Sequence, residues 1–188
     1  MMTSGRVIWI TGLSAAGKTT LARAVTERLR DRGRSVVLLD GDELREVLGA
    51  VAATSRNHGR DGRLALAFQY AHLCQIVAQP GVTVVIATIS LFSEVHGWNR
   101  THLPGYVEVY LRVPLEELRR RDPKGIYGRF EAGELRDVAG LDLPVDEPAA
   151  PDYVLDFDEA RDVAQLADTL MEQLNQREAR SSEWRPER

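Results

Sequence analysis

With one cysteine, Cys74, in 188 residues the chain can form no internal disulfide, and a lone thiol suits a reducing compartment. No apolar run approaches the roughly 20 residues needed to span a bilayer, so no membrane partner is expected. A net charge of −4 gives no broad cationic field, which argues against a nucleic-acid surface. His58, His72, His96 and His102 lack metal-ligand spacing and have no cysteine pair beside them, so no zinc-type centre is expected. The few residues before the strand-like Arg6 leave no room for a secretion leader, and a cytoplasmic protein is the expectation.

What is present is a globular balance, 44% hydrophobic and 28% charged, at a length that suits one domain. Apolar, β-branched runs recur at 7–10, 36–39, 82–89, 106–113 and, more weakly, 153–157. The second and third are continuously apolar, as parallel strands covered on both faces should be. Between the first two, Leu21, Val25 and Leu29 make one helical stripe, with Gly33 as its stop. Helices are also expected over 64–77, over 115–121 behind Pro114, and over 158–174. Such alternation predicts an α/β fold of three layers, a central parallel five-stranded sheet flanked by helices. A single domain over 1–175 and a polar, frayed tail over 176–188 follow. Segments 54–63 and 122–151 fit neither strand nor core helix, and long connections of this kind are commonly lids or binding loops. A mobile lid is expected over about 119–150.

Gly12-Leu13-Ser14-Ala15-Ala16-Gly17-Lys18-Thr19 follows the first strand and opens the first helix, the setting of a P-loop. Gly12 and Gly17 permit the backbone to turn its N–H groups toward an anion. The loop from Gly12 through Ser14, Ala15, Ala16, Gly17, Lys18 and Thr19 to Thr20 should hold the phosphates of ATP. Lys18 is placed for the β- and γ-phosphates and the Thr19 hydroxyl for Mg²⁺. No Asn-Lys-x-Asp tetrapeptide occurs, which disfavours a guanine switch, and the chain is small for a motor. A small-molecule kinase is the favoured reading.

The second strand ends in Asp40-Gly41-Asp42, then Glu43-Leu44-Arg45. Two carboxylates two residues apart share a face of an extended strand end; one can orient the cation and the other accept a hydroxyl proton. The bland alternative is an acidic turn in which Asp42 caps the next helix. Arg45 follows, placed for an anionic group on the acceptor. Arg119, Arg120, Arg121 and Lys124 crowd one stretch. Arg121 and Lys124, flanking Asp122-Pro123, are candidates for stabilising the moving phosphoryl group, while Arg119 and Arg120 read as a solvated helix end. Cys74, Phe68 and Tyr70 read as packing, and Trp98 and Tyr127 as possible stacking partners.

Together these motifs, with Ile89-Ser90-Leu91-Phe92, Arg121-Asp122-Pro123-Lys124-Gly125-Ile126-Tyr127 and Gly140-Leu141-Asp142-Leu143-Pro144, resemble the adenylylsulfate kinases over about residues 5–157. The resemblance implies ATP, Mg²⁺ held at Thr19 and Asp40, transfer to the 3′-hydroxyl of adenylylsulfate, and commonly a homodimer. It implies an acceptor site at Asp42, Arg45, Arg63, Ile89, Ser90, Lys124 and Tyr127. The departures lie on the acceptor side: the family's two adenine-stacking aromatics lack equivalents, Val138 standing at one of them. Residues 62–74 and 88–96 are similar to a branch that phosphorylates cytidine diphosphoramidate. Adenylylsulfate and cytidine diphosphoramidate both stay open at this point, beside a sugar-acid kinase and a non-catalytic ATP-binding module.

Overall fold

The computed structural model describes residues 5–52 and 59–183. Five parallel strands, β1 (Arg6–Thr11), β2 (Val36–Asp40), β3 (Thr83–Ala87), β4 (Val107–Arg112) and β5 (Tyr153–Asp156), form one sheet in the order β2-β3-β1-β4-β5. The helices between and after them are α1 (Lys18–Asp31), α2 (Gly41–Ala52), α3 (Arg60–Ala78), α4 (Ser93–His102), α5 (Leu115–Arg121), α6 (Ile126–Glu131) and α7 (Val163–Glu183).

Side-chain alternation along β1 explains the three layers. Ile8 and Ile10 point into a core shared with α1 and α7, through Leu21, Val25, Leu170 and Leu174. Val7 and Trp9 point the other way, onto Ala67, Tyr70, Ala71 and Cys74 of α3 and Val95 of α4. Cys74 is fully buried there, and burial pushes its thiol up to about 12, so it is inert packing.

Helix ends follow local chemistry. Gly33, at φ 74°, closes α1 in a Schellman motif: its N–H reaches the Arg30 carbonyl at 2.8 Å and that of Arg34 reaches Leu29 at 3.1 Å. The last helix starts at Val163 rather than Asp158, because Asp162 and Gln165 form a capping box. The Gln165 N–H donates to Asp162 Oδ1 at 2.8 Å and the Asp162 N–H to Gln165 Oε1 at 3.0 Å. It also runs past Leu174 to Glu183, where a frayed tail was expected from 176. Charge holds that extension down: Glu178 pairs with Arg6 at 2.6 Å and Arg34 at 3.1 Å, and Arg177 pairs with Asp152. Of the expected irregular segment 54–63, residues 54–58 lie outside the described residues. Arg60 to Arg63 instead form the first turn of α3, the Arg63 N–H reaching the Gly59 carbonyl at 3.3 Å.

Every strand delivers its C-terminal end to one edge, where doubly wound sheets bind ligands. There β3 separates β2 from the P-loop strand, and Asp40 pairs in register with Ala87. Because α1 packs across β3 toward β2, its first turn still meets the end of β2.

Since Leu170 is fully buried between α7 and the sheet, Leu170→Ala should lower unfolding free energy by about 2–5 kcal/mol. Urea denaturation measures this. A loss below about 1 kcal/mol would show that α7 is not part of the core.

Candidate active site

The P-loop is built from strain that glycine removes and from one residue where it remains. A Cβ on Gly12 (φ 150°) would lie 2.7 Å from the Leu111 carbonyl, and Gly17 caps α1 at φ 92°. Ala15 takes φ 63° without being glycine, the kind of backbone outlier that gathers at functional sites. Lys18 folds back over the loop, its Nζ donating to the Leu13 carbonyl at 2.7 Å. Desolvation holds its ammonium down to about 8, against the opposing pull of Asp42 and Asp40.

Asp40 joins this loop to the next element. One carboxylate oxygen accepts the Thr19 hydroxyl at 2.6 Å and the other accepts the Asp42 N–H at 2.8 Å. Asp40 is therefore the cap of α2, a role assigned to Asp42 in the bland sequence reading. The two carboxylates do not share an extended face, because the helix begins at Gly41, directly after Asp40. They divide the work: Asp40 is 8% exposed and fully engaged, whereas the Asp42 side chain stays 63% exposed and meets Lys124 from the lid. Desolvation pushes Asp42 up, but the Lys124 hydrogen bond, with Arg45 and Lys18 nearby, holds it below the usual carboxylate range. The Thr19 hydroxyl and Asp40 carboxylate are hard oxygen donors side by side, a set that fits Mg²⁺ completed by phosphate and water.

Around them opens a cavity of about 640 Å³. Ser14, Ala15, Gly17, Lys18, Thr19 and Thr20 form its floor, with Asp40 and Asp42 at one side. Arg121, Pro123, Lys124 and Ile126, where α5 passes into α6, line its other side, joined by Arg136 and Val163, which sequence reasoning did not single out. Arg136 carried a signal, a cation inside the expected lid; Val163, a core position of a distant helix, carried none. Gly12 and Ala16 do not line the cavity: Gly12 shapes the turn beneath it and Ala16 packs into the core.

Arg45 and Arg63 face both this cavity and a small recess of about 30 Å³, room for a water or two. Desolvation lowers the Arg63 pKa and the Arg45 charge lowers it further. Two guanidiniums that repel each other here make a seat for an anion. Ile89 and Ser90 line the recess with Thr88, Leu66 and Phe92. Thr88 was not anticipated from sequence; it shares a hydrogen bond with Ser90 Oγ at 2.8 Å.

Three expectations are corrected or narrowed. Tyr127 does not face an acceptor: it is 1% exposed, packs in the core and donates to the Ser14 carbonyl at 3.0 Å, so it props the P-loop from below. Arg121 lines the cavity but is anchored, its Nε 2.6 Å from Glu117 and its guanidinium over the Phe157 ring at 4.9 Å. Ser90, expected in the acceptor site, lies in a loop three residues beyond the end of β3 and lines only the small recess. Arg119 and Arg120 do behave as a solvated helix end, paired with Glu131 and Glu117.

A model of the adenylylsulphate kinase family matches residues 4–156. The cytidine diphosphoramidate kinase of Campylobacter jejuni is 38% identical over 144 residues, covering 77% of this chain and 82% of that protein. The adenylyl-sulfate kinase of Marinobacter nauticus is 34% identical over 174 residues, covering 92% and 85%. Among solved structures, the Mycobacterium tuberculosis APS kinase in complex with AMPPNP and APS superposes with a TM-score of 0.83 at 30% identity, over 92% of this chain and 99% of that one.

The lowered Lys18 pKa sets a pH dependence. Bound phosphates raise it above its free value of about 8, so binding takes up a proton wherever the free lysine is neutral. Affinity for MgATP should be level below pH 8 and fall by up to about tenfold per pH unit above it. Titration calorimetry in buffers of different ionisation enthalpy measures both effects; constant affinity from pH 7 to 9 with no proton uptake would contradict this picture.

Proposed function

The chain belongs to the adenylylsulfate kinase family, and we propose that its acceptor is a cytidine diphosphate nucleotide of the diphosphoramidate type rather than adenylylsulfate. The family activity is ATP-dependent phosphoryl transfer to a hydroxyl of a nucleotide. What carries the choice of acceptor is the missing aromatic clamp. Val138 stands where a stacking aromatic is expected, and from 46 to 67 the chain has no Phe, Tyr or Trp. Stacking contributes roughly 1–3 kcal/mol per base, a loss an adenine acceptor would feel in full. The similarity to the Campylobacter jejuni cytidine diphosphoramidate kinase supports the same reading.

In this reading the triphosphate lies on Ser14 to Thr20, with Lys18 leaving the Leu13 carbonyl for a phosphate oxygen. Thr19 and Asp40 would hold Mg²⁺, which would supply charge neutralisation at the phosphates. Arg45 and Arg63 take the acceptor's anionic tail. Asp42 is the base: it is exposed and close to Lys18, and its lid partner Lys124 is free to exchange the carboxylate for the transferring phosphoryl group. Arg121, fixed by Glu117, adds a cation at the donor side without having to be ordered during the reaction. The homodimer implied by the resemblance belongs to the same proposal and is read by light scattering.

Coupled ADP release tests the acceptor. The specificity constant for cytidine diphosphoramidate should exceed that for adenylylsulfate by about tenfold or more. The reverse order by the same margin contradicts the proposal, and acceptor-independent ADP release would point to a different phosphoryl acceptor. Asp42→Asn should lower kcat roughly 10²–10⁴-fold, with the ATP KM little changed, and Lys18→Ala should abolish transfer.

A further inference from the structure

The loop that lines the acceptor recess is held in an unfavourable shape, and its clamp lies outside the site. Ser90 takes φ 27°, a conformation L-residues avoid, and it does so between Ile89 and Leu91, both of which line the recess. A tight turn in which the Phe92 N–H meets the Ser90 carbonyl at 3.1 Å is the local contact across it. The second contact is remote: the ring Nε2 of His96, on α4, lies 3.1 Å from the same carbonyl oxygen. A carbonyl only accepts, so the proton sits on Nε2. Burial holds His96 below the ordinary histidine range, which keeps the ring neutral in that tautomer.

A partly buried polar network lies beside His96. The unprotonated Nδ1 of His96 lies 3.8 Å from Glu108, beyond hydrogen-bond reach of that carboxylate, which is 2% exposed near the start of β4. Glu108 accepts from Tyr106 Oη at 3.0 Å and from Arg100 at 2.9 Å. Arg100 also reaches Asp152 at 3.0 Å, and Asp152 accepts the Glu108 N–H at 2.8 Å. A partly buried ionic network contributes little net stability, since desolvating its charges costs about what their pairing returns. Its geometric effect is to tie α4, through Arg100, to Glu108 of β4 and to Asp152 just before β5, which holds the helix that carries His96 beside the strained residue.

We propose that His96 is a positioning residue for acceptor binding, its Nε2–H pinning the Ser90 carbonyl so that Ile89, Ser90 and Phe92 present a preformed wall to the acceptor nucleotide. The proposal rests on the reading of this recess as the acceptor side. The donor site is independent of it, because none of its phosphate-facing groups touches His96.

The test compares His96→Gln with His96→Leu. A glutamine amide places an N–H near the former Nε2 position, and leucine places none. His96→Leu should raise the acceptor KM roughly five- to tenfold, the loss expected for one buried hydrogen bond, while the ATP KM stays within about twofold. His96→Gln should lie within about threefold of the unaltered protein for both. Hydrogen exchange over residues 88–93 should quicken in the leucine variant and not in the glutamine one. Should His96→Leu fail to fold, His96→Asn takes its place, since its amide stops at the Nδ1 position and cannot reach Ser90. Glutamine and leucine (or asparagine) variants that match in acceptor KM and in exchange overturn the proposal, as does a parallel rise in both KM values. If the unaltered protein turns over no nucleotide acceptor, the acceptor reading fails and the exchange comparison alone decides the role of His96.

Discussion

One short hydrogen bond organises this molecule: the Thr19 hydroxyl to the Asp40 carboxylate at 2.6 Å. Thr19 belongs to the first turn after the P-loop and Asp40 to the last residue of a strand that is not its neighbour in the sheet. The second carboxylate oxygen caps the following helix through the Asp42 N–H. One side chain thus fixes the phosphate loop, the strand edge and the helix that carries Asp42 and Arg45. A change at Asp40 would be felt as misplacement at several sites, because a catalytic group displaced by an ångström loses most of its effect.

Donor and acceptor halves are built on different principles. The donor half relies on backbone: left-handed glycines, a strained Ala15, a helix N-terminus and a desolvated lysine bent onto Leu13. These are electrostatic features any triphosphate satisfies, so they leave little to vary. On the acceptor half, side chains do the selecting. Arg45 and Arg63 face both cavities and would seat an anion, while Leu66 lines the recess and Val138 the larger cavity, where in the proposed reading they surround the base. Replacing a wall residue there would alter the shape of the recess without disturbing Asp40.

Much of this was legible in the chain. The P-loop, the Asp40/Asp42 pair and the sheet follow from motifs and from apolar periodicity, which are local properties. Helix limits are legible where a cap is strong in sequence, as at Gly33; the Asp162/Gln165 capping box is a weaker local signal, and it sets the start of the last helix at Val163, past the amphipathic pattern's beginning at Asp158. What sequence could not convey was partnership across the fold. Tyr127 looked like a ligand-facing aromatic because its motif neighbours are; only the packing places its hydroxyl under Ser14. His96 and Glu108 are twelve residues apart and belong to no shared pattern, and only the strand carrying Glu108 brings them together. The division of labour between Asp40 and Asp42 likewise depended on whether the chain stayed extended or turned at Gly41.

A crystal structure of this protein with Mg²⁺ and a non-hydrolysable ATP analogue tests the central role of the Thr19–Asp40 junction most directly. The triphosphate should lie along residues 14–20 with Lys18 Nζ moved from the Leu13 carbonyl to a phosphate oxygen. The cation should take the Thr19 hydroxyl, with Asp40 reaching it directly or through one water. A cation bound away from both Thr19 and Asp40, with Lys18 still on Leu13, would contradict it.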